Sequence, residues 1–131
     1  MDKQIIKDLK QNFPVLITML YQYDLLGDLL LITSQYEKEQ IDMIIPVINE
    51  LDTIDDIIIS HLYNYELSSL NKVDKAIIRL STYLFTKGEI KSEIIFNIAL
   101  DTTKEYSDLD DEKQHKFTNA LLDKISKAVS V

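Results

Sequence analysis

The sequence contains no cysteine, and among its 131 residues there are only two glycines, two prolines and one arginine. Without cysteine there is no disulfide framework, no thiolate zinc site and no cysteine nucleophile. So few glycines and prolines argue against a turn-rich all-β chain and against a glycine-rich phosphate loop. No apolar run reaches the roughly 18 residues of a membrane helix. The longest candidate, residues 25–32, is interrupted by Gly27 and Asp28. Residues 1–11 alternate charged with aliphatic side chains and lack a signal-peptide apolar core. The expectation is a cytoplasmic protein with no membrane contact. Its Ile/Lys/Asn-rich vocabulary suits an AT-rich bacterial genome.

Positive charge is also scarce. Fourteen Lys and Arg stand against 22 Asp and Glu, which leaves a net charge of −8 and a pI near 4.6. That balance excludes a general nucleic-acid coat, and any RNA binding needs a local basic face on an otherwise repelling protein. The length suits one domain, long enough to bury about two-thirds of its unfolded surface.

What the chain does have is helical periodicity. From Val73, apolar residues recur at Ala76, Ile77, Leu80 and Leu84, the spacing of one helix face, and Gly88 follows where a left-handed cap belongs. A helix over residues 91–106 turns Ile94, Ile95, Ile98 and Ala99 inward. A polar break with Asp108, Asp110 and Asp111 suits an N-cap, and the last helix, residues 110–129, turns Phe117, Ala120, Leu121 and Ile125 inward. Upstream, residues 3–11 read as a short amphipathic segment. Pro14 reads as the first turn of a separate helix ending at Leu26 and Gly27. A turn of helix over 28–34 follows, then a helix over 36–51 kinked or broken at Pro46. Asp52 or Thr53 caps another helix running to Tyr65, and 67–71 is a connector. The pattern predicts an all-α chain of about seven helices.

The catalytic inventory is poor. His61 and His115 are the only imidazoles, neither lies in a metal-ligand spacing, and both read as structural or surface residues. The acids at 108–112 lack the central glycine and twelfth-position glutamate of a calcium loop. No enzyme activity, metal or cofactor is expected. The cations, however, are grouped. Lys3, Lys7 and Lys10 fall at i, i+4, i+7 on one helix face, and Lys72, Lys75 and Arg79 fall at i, i+3, i+7. Lys113 and Lys116 share a face beside His115. With Tyr21, Tyr23 and Phe117 near such faces, these are the materials of a single-stranded RNA site: cations for phosphates and flat rings for bases. Solvated lysine stripes and a core role for Phe117 are the alternative reading.

The run from Leu70 to Tyr83, with Val73-Asp74-Lys75-Ala76-Ile77-Ile78-Arg79 at its centre, resembles the signature helix of the NusB family of bacterial transcription antitermination factors. The run His115-Lys116-Phe117-Thr118-Asn119-Ala120-Leu121-Leu122-Asp123-Lys124 is similar to that family's second signature, and Met19-Leu20-Tyr21-Gln22 to a stretch of its first helix. The resemblance covers about residues 13–127. It implies one helical domain over residues 1–131, built of two packed helical subdomains, with no catalysis. It also implies binding of a boxA-like segment of ribosomal RNA leaders together with NusE, a small-subunit ribosomal protein, and through them an indirect link to the RNA polymerase antitermination complex. Carried over residue by residue, it places Lys3, Lys7, Lys10, Tyr21, Lys113, Lys116 and Phe117 on the RNA side. Asp74, with Lys75 beside it, falls on the NusE side, and Asn119 is the signature asparagine. Leu84 and Ile98 stand where the family has acids and Ala120 where it has glycine, so a polar network is expected to have become apolar packing. The alternative is a diverged scaffold that keeps the fold and a protein-binding face but has lost RNA binding.

Overall fold

A computed structural model describes residues 3–63, 65–106 and 112–129, with side chains omitted at 106 and 112–114. Seven α-helices are present in the described residues: α1 (Lys3–Leu26), α2 (Leu29–Thr33), α3 (Lys38–Asn49), α4 (Leu51–Ser60), α5 (Lys72–Lys87), α6 (Ser92–Tyr106) and α7 (Glu112–Val129). A 3-10 turn at Leu67–Ser69 joins α4 to α5, and no strand occurs among the described residues. No helix among them is long and apolar enough to cross a membrane.

The structure corrects the expected start of the chain. The two segments anticipated on either side of Pro14 are one helix of 24 residues. Pro14 lacks the N–H that would bond the Lys10 carbonyl, a substantial cost inside a helix. The helix stays continuous because its buried stripe runs across the proline: Leu9, Phe13, Leu16, Ile17 and Leu20 all enter the same core. Gly27, at φ +65°, ends α1, and its N–H donates to the Tyr23 carbonyl at 2.8 Å. Asp28 then caps α2, its Oδ1 accepting from Leu30 N at 3.0 Å and Leu31 N at 3.3 Å. Ile32 is the one fully buried residue of α2. Leu25, Leu26, Leu30 and Leu31 are all at least half exposed, so this corner of the fold shows leucine to solvent.

Pro46 does not interrupt α3, which continues three residues past it to Asn49. Helix α4 begins at Leu51 rather than at a cap on Asp52 or Thr53, and it stops at Ser60, short of Tyr65. The stop has a local cause. Ser60 Oγ at 2.6 Å and His61 Nδ1 at 2.9 Å both donate to the Ile57 carbonyl, taking the acceptor that the next α-helical N–H would use. The backbone tightens instead, with His61 N bonding Ile58 O and Leu62 N bonding Ile59 O. His61 is therefore a structural histidine.

Helix α5 is central and packs against α1, α4, α6 and α7. Its whole run 76–82 is buried, polar residues included, which is wider than the single face read from periodicity. Asn71 caps its start, accepting from Val73 N at 2.9 Å, and Gly88 caps its end at φ +67°. A Cβ at Gly88 would meet nothing within 4 Å, so only the left-handed backbone penalises a side chain there. Gly88→Ala is expected to cost about 1–2 kcal/mol, readable as a lower midpoint in urea unfolding, and Gly88→Asn less.

On α6, Ile95, Ile98 and Ala99 are buried while Ile94 packs at the edge of the core. Ile98 thus does fill apolar space, and Leu84 is half-buried against the same core. On α7 the inner face differs from expectation. Thr118, Leu121, Leu122 and Ile125 are buried, Phe117 is half-buried and Ala120 is exposed. The spacing 118, 121, 122, 125 is the helical repeat shifted by one position. The expected cap at Asp110 or Asp111 and the break at 107–111 lie outside the described residues.

Candidate nucleic-acid interface

The continuity of α1 decides how the first group of cations is displayed. Lys3, Lys7, Lys10, Pro14 and Tyr21 are spaced by 4, 3, 4 and 7, so all five fall along one stripe about 27 Å long at 1.5 Å per residue. Lys3, Lys7 and Lys10 are exposed, and none forms an ion pair among the described residues. Beyond them the stripe runs into a small apolar groove of about 170 Å³ lined by Pro14, Ile17, Thr18, Tyr21 and Val73. Thr18 Oγ1 donates back to the Pro14 carbonyl at 3.0 Å, which satisfies its hydroxyl on the backbone. Tyr21 is half-buried in this wall, one ring at the end of a run of three ammonium groups.

The second cation group has the opposite fate. Lys72 Nζ lies 3.0 Å and Lys75 Nζ 2.9 Å from the Asp24 carboxylate at the C-terminal end of α1. Arg79 forks onto Asp55 of α4, with Nε 2.9 Å and Nη2 2.7 Å from its two oxygens, and reaches Asp24 at 3.4 Å. The side chain of Arg79 is only 9% exposed, so the chain's one arginine is spent inside this knot. Burial pushes the Asp24 carboxyl up. The hydrogen bonds from Lys75 and Lys72 and the charges of Lys75 and Arg79 outweigh it and hold the group below the usual carboxylate range. The α5 cations are thus structural cross-braces between α1, α4 and α5.

The same geometry places the two residues that the resemblance puts on the partner side. Asp74 is fully buried, and Lys75 is committed to Asp24 with a side chain 12% exposed. Surface at this level of α5 comes from its neighbours, exposed Asn71 and Lys72 and half-buried Val73.

On α7, Lys116 is exposed and free of ion pairs among the described residues, whereas the side chain of Lys113 lies outside them. Phe117 meets the ring of Tyr65 with centroids 5.1 Å apart and planes at 57°. Helix α7, which carries Lys116 and Phe117, packs on α5 and α6. His115 is half-buried at the start of this helix, and the signature Asn119 is half-buried one turn later.

Two features escaped the sequence. Asp24 pairs across 48 to 55 residues of chain, a separation that no local spacing reveals. Tyr63 and Tyr65 sit in a connector without period; their signal was two aromatics in a polar segment that reads as a continuing helix.

A model of the NusB family matches residues 17–127 of this chain. The transcription antitermination protein NusB of Clostridium botulinum (strain Alaska E43 / Type E3) is 40% identical over 86 residues, 65% of this chain and 62% of that protein. Its counterpart in Sulfurimonas denitrificans is 33% identical over 81 residues, 62% of this chain and 59% of that protein. The chain therefore spans about three-fifths of the length of the curated relatives it matches. The solved structure of T. maritima NusB superposes with a TM-score of 0.77 at 25% identity, over 93% of this chain and 92% of that one.

Proposed function

This chain belongs to the NusB family, and on that premise we propose that it acts in transcription antitermination as an adaptor, binding a boxA-like RNA segment together with NusE. The observation that carries the reading is the stripe of α1. In a protein of net charge −8, three lysines stand together, exposed and unneutralised, and lead to an aromatic-walled groove. Ammonium groups at this spacing suit successive phosphates, and a ring beyond them suits a base. Lysine supplies point charges without the planar fork of arginine, so each contact is weak. A protein partner holding the same RNA would supply the missing affinity through effective concentration. We assign that partner to the surface at the start of α5, where half-buried Val73 and half-exposed Lys72 lie over the buried Asp74. No chemical step belongs to this role, which is carried out beside RNA polymerase in the bacterial cytoplasm.

The test is binding of a boxA oligoribonucleotide across a salt series, with and without NusE. Three phosphate contacts on a single strand contribute about 2 to the slope of log affinity against log salt. Changing Lys3, Lys7 and Lys10 together to Gln should remove about that much slope, weaken RNA binding at least tenfold, and leave NusE binding intact. Absence of RNA binding at low salt, with NusE present, overturns the reading. The scaffold alternative then stands, a reading favoured by the neutralised cations of α5.

A further inference from the structure

Tyr65 is the aromatic side chain that the fold displays most deliberately. It is 57% exposed, and yet its ring is not loose, because Phe117 of α7 holds it at a centroid distance of 5.1 Å. A tilted aromatic pair of this kind is an attractive contact in its own right. Two residues earlier, Tyr63 is 80% exposed in the same connector. Exposed Lys116 immediately precedes Phe117 in α7. Large rings left in water, one of them fixed in orientation, are what a nucleobase platform requires. The base finds a flat apolar face whose ordering cost has already been met by the fold.

We propose that Tyr65, braced by Phe117, is a base-stacking subsite for single-stranded RNA. It is a contact point additional to the α1 stripe, and it rests on the RNA reading given above. Stacking rather than charge dominates here. Lys116 is a single cation, and Glu66, exposed beside Tyr65, keeps further phosphates away. The subsite therefore contributes affinity that salt does not screen, complementing the screened contacts of Lys3, Lys7 and Lys10. Phe117 serves as a positioning residue: half-buried against the core, it fixes the Tyr65 ring.

The experiment uses the full chain and the boxA oligoribonucleotide. Tyr65→Leu is expected to lower affinity about tenfold, within the range for losing one stacked base, while the salt slope stays that of the parent. Tyr65→Phe should bind as the parent does. The chain has no tryptophan, so its tyrosine emission is directly observable. RNA should quench part of that emission in the parent, and the quenching should shrink in Tyr65→Leu. Unchanged affinity and quenching in a folded Tyr65→Leu variant overturn the subsite while leaving the α1 reading intact. So does a loss confined to NusE binding, which would make the ring pair a protein contact. A parent chain that binds no RNA at all overturns both.

Discussion

Arg79→Met should cost about 3 kcal/mol of folding stability, the lower end of what breaking a buried ion pair removes. Methionine keeps most of the aliphatic stem, so the loss comes from charge. Asp55 would lose both of its bonds from the fork, at 2.9 and 2.7 Å, in a position where its side chain is only 19% exposed. Asp24 would fare better, since Lys72 and Lys75 remain on it. The double variant Arg79→Met, Asp55→Leu should recover much of the loss, because replacing both partners leaves no orphaned charge. Denaturant melts of the two variants decide this, and a double variant less stable than Arg79→Met alone would mean that the pair contributes through packing. Acid provides a second readout. The folded pKa of Asp24 lies below its unfolded value of about 3.9, so its contribution is complete above that value and disappears as pH falls through the folded pKa. Asp24→Asn should be less stable at neutral pH and show a flatter decline below pH about 4 than the parent.

Phe13→Ala is the second large effect, expected at about 3–5 kcal/mol. Phe13 has no exposed surface and stands one residue before Pro14, at the middle of the stripe that holds α1 against the core. Removing it opens a cavity where the helix has already lost a backbone hydrogen bond to the proline. Against a total stability of about 5–15 kcal/mol for a domain of this kind, the variant should melt many degrees lower and show early amide exchange in α1. Leu30→Ala is the control: at 82% exposure it should change stability by no more than about 0.5 kcal/mol.

The sequence was most informative where one helix carries its own evidence. The period of α5, the glycine cap at Gly88 and the lysine spacing of α1 are all local, and all three are present in the fold. What depended on tertiary context was misread. Periodicity assigned α5 one inner face, and its enclosure by four other helices buries Asp74 and Arg79 as well. Pro14 looked like a helix start because the burial that carries α1 through it is set by residues elsewhere in the chain. The cations of α5 looked like the α1 group, and only the arrival of Asp24 and Asp55 separates a structural brace from a displayed stripe. Tyr65 depended on the early stop of α4, where the Ser60 hydroxyl and the His61 imidazole both occupy the Ile57 carbonyl.

The leucine corner at Gly27 has a consequence for how the protein behaves in concentrated solution. Leu25, Leu26, Leu30 and Leu31 face outward, and the chain carries no lysine or arginine between Lys10 and Lys38. In dilute buffer the net charge of −8 opposes association through such corners. Ammonium sulfate removes that repulsion and strengthens apolar adhesion at the same time. Precipitation and retention on phenyl resin should therefore set in abruptly with rising sulfate, and serines at 30 and 31 should postpone both.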